Sequence, residues 1–553
     1  MLSDRQLMLL EQLTYMSSGV TDVCGAEAPT IWEAGSLEEL LGGFDKNALQ
    51  QLEDIGTINF VQGSEWAAVI REIRSDPELM ALQISDHAAN ENGCLTALTF
   101  TSPGEADSAI VAFRGTTDGD EWADNMEGLN RSDTKAQKEA LDYVEALPYE
   151  KITVVGHSKG GNKAQYVSVL SPKVIHGVSM DGQGFSDEFL EKYEEEIRAN
   201  AGKVTCYSLE NDFVHILLQS LPGAEQLYVT GSGMENGAEN HSPDSFFCFG
   251  YDEEGRMVLQ EKDGEICLAF TEESSGMAYL HGFTVDLLQR LPETEKEELV
   301  YYLSALIRVA AEGETVRYQG NTYDTSGMAE LVISNPSALA SVLACFLLYT
   351  EEHPLTVDIV QTLLQDFQLL DADGDQTAGS SDERVLLQGL PDALLSAGNF
   401  LRLQGILRLL SVFLAAKGLS LDLNSLSSEV LKNLGAWKNR SGRTGSTAVT
   451  AGDDTRDYSA AAEDAWLSVC SGVGRDLMTD PVDWSSFRGE SWYGEIGAGE
   501  AEAEILSIRQ ELYEQHQQLQ ERVRERFAEM DRIDSRYGRM LQALQNEFRA
   551  AVT

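Results

Sequence analysis

The segment Gly156-His157-Ser158-Lys159-Gly160-Gly161 decides how we interpret the first half of this chain. A β-branched run, Ile152-Thr153-Val154-Val155, precedes it, and a run with helical spacing at residues 162–170 follows it. A strand, a Gly-x-Ser-x-Gly turn and a helix in that order are typical of a nucleophile elbow. Ser158 is the predicted nucleophile, at a helix start whose free N–H groups favour developing negative charge. The alternative is a glycine-rich turn with an incidental serine.

The composition is that of an acidic, globular protein. The 553 residues suffice for two to four domains, and a hydrophobic content of 42% excludes a chain that is disordered throughout. Acidic residues outnumber basic ones by 91 to 40, which gives a formal net charge of −51. Such a surface repels phosphate backbones and anionic lipid head groups, so we expect no nucleic-acid partner.

Neither disulfides nor membrane segments are expected. The seven cysteines form no C-x-x-C pair, which favours buried free thiols over a disulfide framework. The first residues lack the basic start and apolar core of a signal peptide, and no run reaches the roughly 18 apolar residues of a transmembrane helix. We therefore expect a cytoplasmic protein, or one exported without a cleaved signal peptide.

Residues 1–290 have the pattern of an α/β domain, because apolar β-branched runs alternate with helical patterns. This alternation predicts a mostly parallel sheet with helices on both faces, and with the elbow it predicts an α/β-hydrolase. The predicted strands lie at residues 97–100, 109–113, 152–155, 174–180, 204–209 and 226–229. Short runs at residues 246–249, 257–259 and 267–270 predict an antiparallel extension.

The second half of the chain is predicted to be helical. Residues 291–435 carry helix-spaced apolar residues and are predicted to form a helical domain. Residues 436–460 are polar and glycine-rich, which is typical of a linker. In residues 461–553, apolar positions spaced by three, four and seven predict a long-helix tail, either a helical hairpin or a coiled coil.

A serine nucleophile needs an acid that orients its base, and the α/β-hydrolase order along the chain is Ser, then the acid, then His. Asp212 follows the predicted strand at 204–209 and is our first choice for the acid. Glu210 lies in the same turn, and Asp181 follows the strand at 174–180, so both stay open. An Asp after a strand is often only a turn or cap residue.

His241 is the predicted base, because it lies in a polar loop near the end of the domain. His281, in a loop-like stretch, is the reserve, and the side chain of His157 is expected to point away from the elbow. The backbone N–H of Lys159 is one expected oxyanion donor. Thr116, which follows the strand at 109–113, is the other, through its N–H and hydroxyl. This chemistry needs no cofactor and no metal.

Several motifs together look like class 3 lipases, and more closely resemble the Mbeg-like bacterial α/β-hydrolase family. They are Phe113-Arg114-Gly115-Thr116 with Trp122 and Asp124, the elbow extended to Ala164, Asp181-Gly182-Gln183-Gly184-Phe185, Asn240-His241-Ser242-Pro243-Asp244-Ser245, and the opening from Leu2 to Tyr15. Gln183 stands where proline is usual. The resemblance covers residues 1 to about 250 and implies a serine hydrolase of the lipase or esterase type.

Residues 118–133 occupy the place of a mobile lid in class 3 lipases. A lid and a structural loop anchored by Trp122 are both consistent with the sequence.

The sequence as a whole predicts a serine hydrolase that cleaves a small-molecule or lipid ester through Ser158, His241 and Asp212 and an acyl-enzyme. Trp492-Tyr493-Gly494 before the long helix supports an alternative, a lipase-type effector of a type VII system with C-terminal WXG-like targeting helices. A non-catalytic hydrolase-fold interaction protein is a further alternative. In each case residues 461–553 would serve self-association or a secretion partner.

Overall fold

The computed structural model describes residues 2–25, 27–58, 61–89, 95–116, 124–231, 241–262, 265–266, 269–312, 315–366, 394–395, 402–403, 405–407 and 423–441. Its strands in chain order are β1 (Thr57–Ile58), β2 (Val61–Gln62), β3 (Gln83–Ala89), β4 (Thr96–Thr101), β5 (Ser108–Phe113), β6 (Lys151–His157), β7 (Val174–Met180), β8 (Val204–Leu209), β9 (Glu225–Val229), β10 (Phe249–Tyr251), β11 (Met257–Leu259), β12 (Glu261–Lys262), β13 (Glu265–Ile266), β14 (Phe270–Thr271), β15 (Val316–Tyr318) and β16 (Asn321–Tyr323).

An eight-stranded sheet forms the centre of the first half of the chain, in the order β14-β9-β8-β7-β6-β5-β4-β3. The pairings from β5 to β9 are parallel, whereas β3 and β4 at one edge and β14 at the other are antiparallel. Because β6, β7 and β8 pair in parallel, their carboxyl ends all lie on the same side of the sheet, and the loops that follow them begin there. The predicted α/β-hydrolase class, with a mostly parallel sheet, is confirmed.

Helices cover both faces of this sheet. Neighbouring residues of β6 point to opposite faces, so that Val155 packs in one core with the N-terminal helices, and Val154 packs in the other with the helix that follows the elbow. The helices of this part are Asp4–Gln12, Ser18–Thr21, Leu37–Leu41, Lys46–Glu53, Gly63–Ser75, Pro77–Met80, Lys135–Ala146, Lys159–Leu170, Asp187–Lys192 and Glu194–Asn200. Ser3 begins the first of them in a capping box with Gln6.

The chain after the sheet is mainly helical. Its helices are Ser275–Arg290, Glu293–Glu312, Met328–Val332, Pro336–Glu352, Val357–Asp366 and Leu423–Ser441, with a hairpin of β15 and β16 between the second and third. The last of these helices ends within the predicted 436–460 linker, and the predicted tail at 461–553 lies outside the described residues. None of the helices in the described ranges is long and apolar enough to span a membrane.

Two local predictions require correction. The loop-like stretch around His281 is a helix, Ser275–Arg290, capped by the hydroxyl of Ser274. The predicted strand at 246–249 does not form: Phe246 ends a 3-10 turn, Pro243–Phe246, and β10 begins only at Phe249. Pro243 at the first turn position favours this helical start, and it outweighs the β propensity of the phenylalanines.

Candidate active site

Ser158 lies in a tight turn between β6 and the helix Lys159–Leu170. Its φ of 57° falls in the left-handed region, which non-glycine residues avoid and which costs of order 1–3 kcal/mol. A Cβ on Gly156 would lie 2.2 Å from the backbone of Gly160, and one on Gly160 would lie 2.0 Å from the carbonyl oxygen of Phe113. Only glycine fits at both positions, so the local packing enforces the strained turn that the motif predicts.

Three loops bring Ser158, His241 and Asp212 together. The hydroxyl of Ser158 is 2.8 Å from Nε2 of His241, and Nδ1 of the same ring is 2.7 Å from Oδ2 of Asp212. A carboxylate can only accept, so Nδ1 carries the proton and Nε2 is free to accept from the Ser158 hydroxyl. Ser158 and Asp212 are buried, while the His241 side chain keeps 12% of its surface exposed.

Asp212 is held in one orientation by its own loop. Its Oδ1 accepts hydrogen bonds from the backbone N–H groups of Val214, at 2.6 Å, and His215, at 3.4 Å. Burial alone would raise the pKa of Asp212, but the charges of His241 and His215 and hydrogen bonds with both residues hold that pKa below its usual value. Asp212 is therefore an ionised, buried carboxylate aimed at Nδ1 of His241.

The other two candidate acids have different partners. Glu210 accepts a hydrogen bond from the hydroxyl of Thr271, in the edge strand β14, at 3.2 Å. Asp181 is fully buried and accepts from the backbone N–H of Leu209 at 2.8 Å. The ring of His241 is hydrogen-bonded to neither of them.

His157 supports the site instead of pointing away from it, which corrects our expectation. Its ring centroid is 4.7 Å from that of His241, and its Nδ1 is 2.9 Å from the hydroxyl of Tyr15. Burial and the nearby charge of His241 lower the pKa of His157 well below its usual value, so that the ring stays neutral. The reserve base, His281, bonds the carbonyl of Leu218 at 2.9 Å.

The two expected oxyanion residues, Lys159 and Thr116, each contact one of two consecutive residues, Asp124 and Asn125. The ammonium of Lys159 is 2.8 Å from Oδ2 of Asp124, with both side chains buried, and the Asn125 amide donates to the Thr116 hydroxyl at 2.8 Å. Burial opposes ionisation of Asp124, but the charge and hydrogen bond of Lys159 lower its pKa. This part of the segment 118–133, whose sequence is consistent with both a lid and a structural loop, is therefore anchored beside the elbow, while residues 117–123, with Trp122, lie outside the described ranges.

Comparison with known proteins found a family and a solved structure similar to part of the chain. Residues 78–246 match the Mbeg1-like family. The resemblance predicted from the motifs is confirmed over this region. The region includes Ser158, His241 and Asp212, which together form the Ser158 hydrogen-bonded line. Among solved structures, one match is the crystal structure of M37 lipase, at 14% identity and a TM-score of 0.23, covering 39% of this chain and 70% of that chain. No curated protein matches the chain.

The Mbeg1-like region also contains two groups of potential metal ligands. One comprises His157, Asp181 and His241, the other Asp181, Asp212 and His215, with donor atoms within 4.8 Å of one another in each group. Each group includes a residue of the Ser158 hydrogen-bonded line, so a cation there would compete with the His241 bonds.

Sequence reasoning missed four residues that surround this site: Tyr15, Asn125, His215 and Glu273. Asn125 directly follows the Asp124 of the Mbeg1-like motif, and His215 follows Asp212 by three residues, so both had a local signal. Tyr15 and Glu273 approach from distant parts of the chain, which no local pattern reveals.

Proposed function

We propose that this chain is a lipase-like serine hydrolase that cleaves carboxylic esters through an acyl-enzyme. The observation that carries the proposal is the continuous hydrogen-bonded line from Ser158 through His241 to Asp212, with contacts of 2.8 and 2.7 Å. The Mbeg1-like match and the strained elbow support it.

In the proposed reaction, Ser158 Oγ attacks the ester carbonyl while Nε2 of His241 takes the hydroxyl proton. Asp212 stays ionised and stabilises the imidazolium that forms. The N–H of Lys159, with the N–H and hydroxyl of Thr116, would bind the oxyanion, each donor lowering the barrier by about 3 kcal/mol. His241 then protonates the leaving alcohol, and water attacks the acyl-enzyme by the same proton transfers in reverse.

The proposed substrates are small-molecule or lipid esters without an anionic head group. Phe213 offers an apolar surface next to the base, since its ring lies 5.6 Å from that of His241 and the residue is 37% exposed. The net charge of −51 disfavours anionic esters by repulsion. A screen of neutral, cationic and anionic esters over a range of acyl lengths tests this assignment.

The nucleophile is tested with a fluorophosphonate probe on the full chain. We expect the wild type to be labelled and Ser158→Ala to remain unlabelled. Ser168→Ala is the matched control, because Ser168 is a buried serine of the following helix that bonds only the carbonyl of Ala164 among the described residues. If folded Ser158→Ala is labelled as fast as the control, the proposal fails.

The role of residues 461–553 stays a prediction. We propose that they serve self-association or a secretion partner, as in the type VII alternative. Deleting them should change export or the sedimentation profile while ester hydrolysis is retained. Loss of hydrolysis without either change would contradict this separation of roles.

A further inference from the structure

A buried histidine lies directly behind the proposed acid. Nδ1 of His215 is 3.8 Å from Oδ1 of Asp181 and 3.9 Å from Oδ1 of Asp212. On the opposite side of the ring, Nε2 is 3.1 Å from Oε1 of Glu273. The ester-cleavage mechanism above uses His215 for none of its steps.

The carboxylates around this ring come from three separate elements. Asp181 follows β7, Asp212 follows β8, and Glu273 stands between β14 and the helix Ser275–Arg290. On β9, Tyr228 donates to the other oxygen of Glu273 at 3.1 Å and packs edge-on to His215. His281, on the following helix, adds its charge to the environment of Glu273, and His241 faces Asp212 from the opposite side.

We propose that His215 is a positioning residue whose imidazolium keeps Asp212 ionised and directed at His241. The proposal rests on the proposed function. Two buried carboxylates that lie this close repel one another, so that one of them takes up a proton. A cation placed between them lets Asp212 remain the ionised member. The backbone N–H of His215 contributes in the same direction, because it donates to Asp212.

The electrostatics of the ring agree with this role. Burial opposes protonation of His215, but the hydrogen bond with Glu273 and the charges of Asp181 and Asp212 outweigh it and raise the pKa of His215 to about 9. Over the neutral range the ring is therefore cationic. Asp181 behaves in the opposite way from Asp212, because burial and the charge of Asp212 raise its pKa.

The consequence is measurable in the pH profile of Ser158 labelling. Labelling requires an ionised Asp212, which holds His241 in the tautomer that accepts the Ser158 proton, so labelling is lost on the acidic limb of that profile, where Asp212 takes up a proton. Without the nearby imidazolium of His215, the carboxylate of Asp212 loses a stabilising charge, so its pKa rises. In His215→Gln the acidic limb should move to higher pH by about one unit. His215→Lys restores the charge and should return the limb towards its original position.

The matched control is His176→Gln, since His176 also bonds a carboxylate, that of Asp4 at 2.7 Å, but lies away from the elbow. In His176→Gln, the acidic limb of the Ser158 labelling profile should stay at the wild-type pH. A limb that is unchanged in folded His215→Gln overturns the proposal, as does a shift that His215→Lys reproduces in full. If wild-type protein is not labelled, the proposed function itself fails.

A second measurement applies if His215→Gln does not fold or if labelling is absent. Histidine-selective ¹⁵N NMR of the full chain carrying Ser158→Ala should show one ring that titrates near pH 9. That signal should vanish in the chain that also carries His215→Lys. If no ring titrates near pH 9, or if that signal persists in the chain with His215→Lys, the proposal is overturned.

Discussion

The loops after β7 and β8 each carry a buried aspartate, yet the two carboxylates behave in opposite ways. Asp212, after β8, has Oδ1 bonded to two backbone N–H groups and Oδ2 to His241. Asp181, after β7, accepts one backbone hydrogen bond through Oδ1, and no donor in the described part of the chain reaches its Oδ2. Depth of burial is the same, so the neighbouring charges of His241 and His215 and the hydrogen-bond donors decide which carboxylate is ionised.

Asp181 is also held in an uncommon backbone conformation, with a φ of 44°. The energy of that strain and of the unbonded Oδ2 must be offset elsewhere in the fold. The comparison teaches that neighbouring strand ends can hold an ionised acid and a protonated one only a few ångströms apart. Their functions differ accordingly, and substitutions can separate them.

Asp212→Asn should have the largest effect, because an amide orients His241 in the wrong tautomer. We expect kcat for ester hydrolysis to fall by about 10⁴-fold, as for the loss of such an acid in other triads. Asp181→Asn is the matched control and should retain most of the activity. Should Asp181→Asn lose as much as Asp212→Asn, the two loops would not differ as described.

Asp124→Asn extends the comparison to a third buried carboxylate, which has a full cationic partner. The substitution leaves the ammonium of Lys159 buried without its charge partner, so the free energy of unfolding should fall by about 3–5 kcal/mol in urea titrations. Glu127→Gln is the control, since its ion pair with Arg131 is exposed and contributes about 0–1 kcal/mol. Equal losses in both variants would contradict the buried pairing.

Asp181→Asn should have the smallest effect, and it is one of stability. The folded protein holds the Asp181 proton above the ordinary value of 3.8 at which the unfolded chain releases it, so wild-type stability falls as pH rises through this window. The asparagine variant lacks that fall and should be more stable by about 1 kcal/mol near pH 8. Thermal unfolding of both proteins from acidic to mildly alkaline pH measures the difference. If the stability of the two proteins changes equally with pH, this explanation is contradicted.

The sequence predicted the sheet well where strands are β-branched runs. The predicted bounds at 174–180 and 204–209 coincide with β7 and β8. It failed where a local signal competed, as at Pro243 and in the helix Ser275–Arg290, whose internal glycines weaken the helical pattern. Residues 384–396 and 400–417, also predicted to be helical, lie almost wholly outside the described ranges.

For the site, sequence order placed Ser158 and His241 in loops that the fold brings together. It left three acids open because Asp181, Glu210 and Asp212 all follow strands. What separates them is the direction in which each side chain leaves its loop, and this depends on long-range packing. The same reason explains why Glu273, at His215, had no signal in the sequence.

The loop that carries Asp212 is tied to residues beyond the Mbeg1-like match. The carbonyl of Ile216 accepts a hydrogen bond from the hydroxyl of Thr284, and that of Leu218 bonds the ring of His281. A gene shortened to end at residue 246 would still encode Ser158, His241 and Asp212. It would remove the hydrogen bonds that Thr284 and His281 make with the loop that carries Asp212. Anyone trimming this protein for expression should therefore cut after the helix Ser275–Arg290, although homology alone would suggest the earlier site.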